Sequence, residues 1–173
     1  EAADPMVILF QGDYYLFASK SGGYWWSEDF LDWHFVTPNK TLDIEKYAPS
    51  VWQIGEWMYY TSSESGAIYR SNNPKSGRWY KVCDNPHPWN DPWIFVDDDG
   101  RVYAYWGSGE SGGISCCELD PNDSFKPLTE DVVCFGTNTD EHGYEVGGDN
   151  NEGGNPWTEG AAMFKHDGKY YLT

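Results

Sequence analysis

The feature that most constrains the fold of this chain is a segment that recurs four times along its 173 residues. Each copy has a small or acidic residue followed by Pro or Gly, a short apolar run, a turn containing Gly, and a second run rich in Tyr. Successive copies start 44, 43 and 68 residues apart, and we place an insertion at about residues 134–157. A period of this length is typical of repeat architectures. The copies are DPMVILFQGDYYLFAS from Asp4, APSVWQIGEWMYYTSS from Ala48, DPWIFVDDDGRVYAYWGS from Asp91 and EGAAMFKHDGKYYLT from Glu159.

The rest of each repeat predicts two further strands. GYWWSEDFLDWHFV (23–36) and AIYRSNNPKSGRWYKV (67–82) both have an apolar strand, a Ser, a polar turn and a Trp before a short strand. Four strands in about 40 residues, without sustained helical periodicity, describe a blade of an all-β propeller. We therefore predict three blades and the first hairpin of a fourth. Because a propeller must close to remove its open edges, we interpret the chain as part of a longer one.

Composition narrows the class of ligand. Acidic residues outnumber basic ones 28 to 11, which gives a net charge of −17 and argues against nucleic acid or an anionic membrane surface as a partner. The longest apolar run, MVILF (6–10), is far too short for a membrane span. Acidic and aromatic side chains together suit neutral, hydroxyl-rich ligands such as sugars. We expect a secreted or periplasmic protein, although the chain shows no signal peptide, and the sequence leaves the oligomeric state open.

No cofactor or metal site is predicted. The cysteines lack the spacing of a zinc site, and we interpret them as reduced thiols that act as small hydrophobes. DNNEGG (149–154) lacks the ligand spacing of an EF-hand loop. A calcium ion on the propeller axis stays an open alternative without support in the sequence. The four cysteines are Cys83, Cys116, Cys117 and Cys134.

Carboxylates recur at the start of the repeats. Asp4, Asp91 and Glu159 open three copies, and Ala48 opens the other. The first strand of each propeller blade runs along the central channel, so residues at its leading end should converge. Three acids at one mouth repel one another and raise the pKa of at least one, which is typical of acid–base sites. Asp-Pro and Glu-Gly pairs also occur in ordinary turns, so the prediction depends on all three acids together.

These segments resemble glycoside hydrolase family 43. The resemblance is carried by Asp4-Pro5 with the following GDYYL, by DPWIFVDDDGRVYAYWG (91–107), by TEGAAMFKHDGKYYLT (158–173) and by SEDFLDW (27–33). The segments come in the family's order and span nearly the whole chain. The resemblance implies a five-bladed propeller that hydrolyses glycosidic bonds with inversion. It also implies further blades after Thr173, including a histidine on the axis.

The same resemblance assigns roles to the three acids. Asp4 would be the general base that activates water, and Glu159 the general acid that protonates the departing oxygen. Asp91 would orient the acid and raise its pKa. Inverting hydrolysis needs two carboxyl groups roughly 6.5–9.5 Å apart so that a water fits between them. A channel mouth ringed by separate blades can supply such a gap.

Four further residues are candidates for substrate binding: Tyr47, Trp26, Trp106 and His142. Tyr47 directly precedes the second repeat, where members of the family often carry an aromatic residue. Trp25 and Trp26 alternate along a strand, so at most one of them faces a ligand. For each tryptophan the alternative is packing in the core. His142 lies in the Gly- and Asn-rich stretch 142–160, and its alternative is an exposed loop position.

Other classes of protein stay open at this point. WNDPWIF (89–95) resembles the opening of family 32 fructosidases but falls in the third repeat. A catalytically inactive propeller that binds carbohydrate is a second alternative, and a WD or kelch scaffold is a third, although the G-H…W-D signature is missing. The substrates we expect are α-L-arabinofuranosides or β-xylosides of plant polysaccharides such as arabinan and xylan. The sequence does not choose between them, or between exo and endo action.

Overall fold

The computed structural model describes residues 3–109, 113–137 and 158–173, and these residues form β-strands with one 3₁₀ turn at Pro74–Ser76. None of them forms a helix that is long and apolar enough to cross a membrane. The first eight strands are β1 Met6–Phe10, β2 Asp13–Phe17, β3 Tyr24–Ser27, β4 His34–Val36, β5 Tyr47–Ile54, β6 Trp57–Ser63, β7 Ala67–Ser71 and β8 Tyr80–Asp84. The others are β9 Trp93–Val96, β10 Val102–Trp106, β11 Ile114–Asp120, β12 Lys126–Pro127, β13 Val132–Phe135, β14 Met163–His166 and β15 Lys169–Leu172.

The strands form three antiparallel sheets and one hairpin. Two sheets have the orders β1-β2-β3-β4 and β5-β6-β7-β8, the third runs β9-β10-β11-β12, and β14 pairs with β15. The predicted three blades and first hairpin of a fourth are therefore confirmed. One boundary is corrected: β13 pairs with β11, so residues 134 and 135 belong to the third blade rather than to the insertion. His142 and the DNNEGG segment lie outside the described residues.

The hairpin turns follow from the residues between the strands. In the first blade Gln11 and Gly12 have φ values of 51° and 91°, and in the fourth Asp167 and Gly168 have 48° and 72°. Two consecutive positive φ values match the right-handed twist of the flanking strands, which is why such turns place Gly at the second position. Each turn makes the second strand run antiparallel to the first. The start of the first strand therefore lies at the end of the sheet opposite the turn.

The first strands of the blades lie side by side, with β1 next to β5, β5 next to β9, and β9 next to β14. Two apolar cores fill the space between the sheets, one between the first and second blades and one between the second and third. Alternation along β6 sends Tyr60 into the first core and Tyr59 into the second. Both faces of this blade are therefore buried, which accounts for its many aromatic side chains.

Buried aromatic residues in the first core carry their own hydrogen bonds. The Trp79 indole N–H donates to the Tyr24 hydroxyl at 2.9 Å, and that hydroxyl donates to the Pro74 carbonyl at 2.6 Å. Phe17 stacks on Tyr24 with ring centroids 4.6 Å apart. Burial of each such ring contributes about 1.5–3 kcal/mol. The first two blades are thus joined by apolar packing in which the polar groups of Tyr24 and Trp79 are paired.

Candidate active site

In each of the four repeats, a residue at or just before the start of the first strand lies in the left-handed region. The φ values are 51° at Asp4, 46° at Ala48, 56° at Asp91 and 72° at Gly160. Each of these residues lies six positions before the residue that opens its hairpin turn. The expected equivalence of the first three residues is therefore confirmed, but Glu159 is displaced by one position. Left-handed φ costs a residue with a side chain about 1–2 kcal/mol, so the surrounding contacts must hold it.

These strand starts enclose a cavity of about 220 Å³. Residues from all four blades line it, and a proline follows the left-handed residue in each of the first three. Because proline has no N–H, the wall carries no unpaired donor at these places. The lining residues are Asp4, Pro5, Met6, Ala48, Pro49, Asp91, Pro92, Trp93, Gly160, Ala161 and Ala162.

Serines at the ends of second strands hold the first two junctions between blades. The Ala48 N–H donates to Ser19 Oγ at 2.8 Å, and the Asp91 N–H donates to Ser63 Oγ at 2.7 Å. Ser19 Oγ in turn donates to Asp4 Oδ2. Both serines are almost fully buried. Each junction therefore fixes the left-handed residue of the next blade through its N–H.

The third junction uses a carboxylate instead. Gly107 stands in the third blade where Ser19 and Ser63 stand in the first two. The Gly160 N–H donates to Asp91 Oδ2 at 2.9 Å. A serine cannot occupy position 107, because a Cβ there would lie 2.1 Å from the Gly113 carbonyl oxygen and φ is 152°. Asp91 thus takes over the contact that a serine makes in the earlier blades.

Glu159 is held by the third blade through both of its neighbours. Thr158 and Gly109 exchange two backbone hydrogen bonds at 3.1 and 3.2 Å. Ser108 Oγ donates to Glu159 Oε2 at 3.2 Å, and Gly160 is bound to Asp91. Three consecutive residues are therefore anchored on one blade, which places the exposed Glu159 side chain next to a residue that lines the cavity.

The pKa of Asp91 reflects its burial and its acidic neighbours. Its pKa is raised, first by burial and then by the negative charges of Glu159 and Asp4, while the hydrogen bond from the Gly160 N–H acts in the opposite direction. The neighbouring acids thus contribute to the raised pKa of Asp91, with burial as the larger cause. The structure brings the three carboxylates to one mouth, and their roles stay predictions.

Of the three aromatic residues predicted to bind substrate, Tyr47 is exposed, whereas the rings of Trp26 and Trp106 are occupied by packing. Tyr47 is 46% exposed, and it precedes Ala48 just as Glu159 precedes Gly160. The hydroxyl of Tyr47 accepts a hydrogen bond from the Lys20 ammonium. The same ammonium lies 4.0 Å from the centroid of the Tyr47 ring. Trp26 lies on the third strand of its blade, and its ring stacks on His34.

Trp106 is only 9% exposed and packs against His87 in the second core. The structure therefore does not bring Trp26 or Trp106 to the cavity, because packing between and within blades occupies their rings. The fourth candidate, His142, is outside the described residues.

Three residues of the site were not predicted from sequence. Ser19 and Ser63 occupy the same position in successive repeats, so aligning the second strands identifies them. Trp93 lines the cavity two positions after Asp91, and its indole N–H donates to the Met163 carbonyl at 3.0 Å. The alternation of the first strand indicates that positions 91 and 93 share a face.

The described part of the chain contains no group of three or more His, Cys, Asp or Glu side chains that could hold a metal ion. The acids of the cavity instead have protein partners, namely Ser19 for Asp4, the Gly160 N–H for Asp91, and Ser108 for Glu159.

Comparison with solved structures finds the same fold in several glycosidases. A thermostable family-43 glycoside hydrolase matches with a TM-score of 0.71 at 22% identity, over 99% of this chain and 62% of that one. The α-L-arabinofuranosidase CtGH43 from Clostridium thermocellum ATCC 27405 matches with 0.69 at 21% identity, over 98% and 62%. Xylan β-1,4-xylosidase from Bacillus halodurans C-125 matches with 0.65 at 20% identity, over 99% and 36%. This chain thus spans less than two thirds of the length of these structures.

A search of curated protein sequences finds no match. The model of the glycosyl hydrolases family 43, by contrast, matches residues 1–173. That match covers the whole chain. The chain therefore belongs to glycosyl hydrolases family 43.

Proposed function

We propose that the protein hydrolyses O-glycosidic bonds with inversion of configuration. The observation that carries this proposal is the cavity at the blade starts, where Asp4 and Asp91 line the wall and Glu159 adjoins it. The acids stand on separate blades and have separate hydrogen-bond partners. Such an arrangement supports two carboxyl groups with different tasks on opposite sides of a bond.

In the reaction we propose, a water attacks the anomeric carbon while the bond from that carbon to the departing oxygen breaks. Asp4 takes a proton from the water, and Glu159 gives its proton to the departing oxygen. Asp91 keeps the Glu159 segment in place through the Gly160 N–H. Asp4 must therefore be ionised and Glu159 protonated at the start of each turnover, which predicts a bell-shaped dependence of kcat/KM on pH.

The proposed substrates are pentose-containing plant polysaccharides or their oligosaccharides. Two of the structural neighbours are named as an α-L-arabinofuranosidase and a xylan β-1,4-xylosidase, which supports this class without choosing between the two sugars. Trp93 offers an apolar wall for the ring's C–H face.

The test is an assay of the complete protein on nitrophenyl α-L-arabinofuranoside and nitrophenyl β-xyloside. We expect turnover of at least one, with Asp4→Ala and Glu159→Ala each lowering kcat by about 10²–10⁴-fold. NMR of the first product should show inverted anomeric configuration. Retained configuration would contradict the mechanism. Sugar binding without turnover, in the parent as in both variants, would support an inactive carbohydrate-binding propeller instead.

A further inference from the structure

Ser19 occupies a buried position two residues after the second strand of the first blade. Its side chain contacts two residues that begin first strands, Asp4 in its own blade and Ala48 in the next. Its backbone N–H donates to the Ala3 carbonyl at 2.9 Å, and the residue is 4% exposed. A substrate in the cavity therefore does not touch Ser19, although Asp4 does line that cavity.

The direction of the two hydrogen bonds follows from the chemistry of the groups. The Ala48 N–H can only donate, so it occupies a lone pair of Ser19 Oγ. A serine hydroxyl has one proton, and an ionised carboxylate can only accept. The single proton of Ser19 is therefore directed at Asp4 Oδ2. The backbone of the second blade thus determines which way the hydroxyl of the first blade points.

Ser50 provides a comparison within the same molecule. It is also fully buried, and its Oγ accepts the N–H of Ile94 at 2.9 Å, which joins the second blade to the third. Within the described part of the chain, the hydrogen bond assigned to Ser50 joins it to a backbone group and not to a carboxylate. Ser19 and Ser50 therefore share the structural contact between blades, and Ser19 adds the contact with an acid.

We propose that Ser19 is the positioning residue of the general base. This inference rests on the proposed function, because it takes Asp4 as the base. Ser19 holds Oδ2 and so presents Oδ1 to the proton of the attacking water. Asp4 has a left-handed φ of 51° and an otherwise exposed side chain, so a fixed partner is needed to keep its carboxylate in one orientation.

The test compares Ser19→Ala, Ser19→Thr and Ser50→Ala in the complete protein. We expect both alanine variants to lower Tm to a similar extent, because each leaves a buried N–H without its acceptor. Ser19→Ala should lower kcat by about 10–100-fold with KM changed less than about threefold, since a misoriented base affects turnover rather than binding. Ser50→Ala should keep kcat within about threefold. Ser19→Thr, which retains the hydroxyl, should recover most of kcat.

A double variant separates positioning from a general loss of structure. If Ser19 acts through Asp4, adding Ser19→Ala to Asp4→Asn should cause no further loss of kcat. Equal kcat in Ser19→Ala and Ser50→Ala, or additive losses in the double variant, would overturn the inference while leaving the proposed function intact. Full turnover by Asp4→Asn alone would instead overturn the proposed function, whatever the Ser19 variants do.

Discussion

At the junction between the first and second blades, a serine hydroxyl accepts the N–H of the residue that begins the next first strand. Between the third and fourth blades, a carboxylate accepts it. The two distances are alike, 2.8 Å from the Ala48 N–H to Ser19 Oγ and 2.9 Å from the Gly160 N–H to Asp91 Oδ2. The same backbone geometry is therefore maintained by a neutral group at one junction and by an acid at the other.

The two junctions differ in the burial and the charge of the group that accepts the hydrogen bond. Ser19 is buried and neutral, whereas Asp91 is half-buried, acidic and has a raised pKa caused by burial and by its acidic neighbours. The raised pKa means that the fold disfavours the ionised form, so the third junction gives up stability at neutral pH. That loss is expected where a carboxylate is needed for chemistry rather than for the fold.

The largest expected effect on stability comes from a substitution that places a serine at the third junction, as at the first. Gly107→Ser would place a Cβ 2.1 Å from the Gly113 carbonyl oxygen at a φ of 152°. We expect a loss of about 3–5 kcal/mol in the free energy of unfolding, from overpacking together with backbone strain. Denaturant unfolding measures it. Gly66→Ser is the matched control, because nothing lies within 4 Å of a Cβ there; equal losses in both variants would contradict the account.

The next effect separates the two tasks of Asp91. We expect Asp91→Ala to lower kcat/KM by about 10²–10³-fold, because it removes both the charge and the acceptor for the Gly160 N–H. Asp91→Asn keeps an acceptor but no charge. It should also lose activity, while its Tm at pH 7 stays equal to or above that of the parent.

The pH dependence gives the sign of this effect. Because folding raises the pKa of Asp91, the stability cost of ionising it appears as pH rises above about 4. The advantage of Asp91→Asn in Tm should therefore grow from about pH 4 towards neutral and vanish at lower pH. Thermal unfolding of both proteins across pH 3–8 measures it. If the parent protein is more stable than Asp91→Asn at pH 7, ionised Asp91 does not destabilise the third junction, which would contradict this prediction.

A smaller effect is expected at the second junction. Ser63→Ala removes the acceptor of the Asp91 N–H, which lies 2.7 Å from Ser63 Oγ. A buried donor without a partner costs about 1–3 kcal/mol in the free energy of unfolding. Ser19→Ala should cost a similar amount, since the two serines make the same contact. Denaturant unfolding of the pair measures whether the junctions are energetically alike, and a difference above about 2 kcal/mol would show that they are not.

The smallest effect concerns how the fourth hairpin is attached. Lys165 Nζ lies 2.8 Å from both Asp97 Oδ1 and Asp98 Oδ2, and the Tyr170 hydroxyl donates to Asp97. The hydrogen bonds from Lys165 and Tyr170 lower the pKa of Asp97 to about 2. We expect Asp97→Asn to lower Tm by about 2–4 °C at pH 7.

This contribution has the opposite sign of pH dependence to that of Asp91. A lowered pKa means that the stabilisation is present above the ordinary pKa of about 4 and is lost as pH falls towards about 2. The difference in Tm between the parent and Asp97→Asn should therefore be constant from pH 5 to 8 and disappear near pH 2. A difference that persists at pH 2 would show that packing, not charge, attaches the hairpin.

Much of the fold was predictable because the same local sequence pattern occurs several times, and each occurrence predicts the same hairpin. The turns at Gly12 and Gly168, the alternation along the first strands and the convergence of Asp4 and Asp91 all follow from the period. The alignment of Glu159 was wrong by one position, because the fourth copy lacks the proline that marks the register in the first three. Gly160 takes the left-handed place instead, since it adopts a φ of 72° without a side-chain clash.

The aromatic residues show where sequence reasoning ends. Trp93 and Trp106 are both tryptophans near the third repeat's strand ends, yet the first lines the cavity and the second is buried against His87. Their local sequences do not distinguish them, because the packing between blades determines which ring is covered. Ser19 is similar: its position recurs in the repeat, but its contact with Asp4 depends on how the second blade directs its hydroxyl.

The sequence by itself determined the blades, their hairpins and the acids at their starts, because these depend on local periodicity and turn chemistry. Only the tertiary structure decided that Asp91 replaces a serine at the third junction, that Glu159 is anchored through both neighbours, and which tryptophan faces the cavity. These are contacts between residues as much as 69 positions apart. No local pattern encodes them, since the geometry of one blade against the next sets which groups meet.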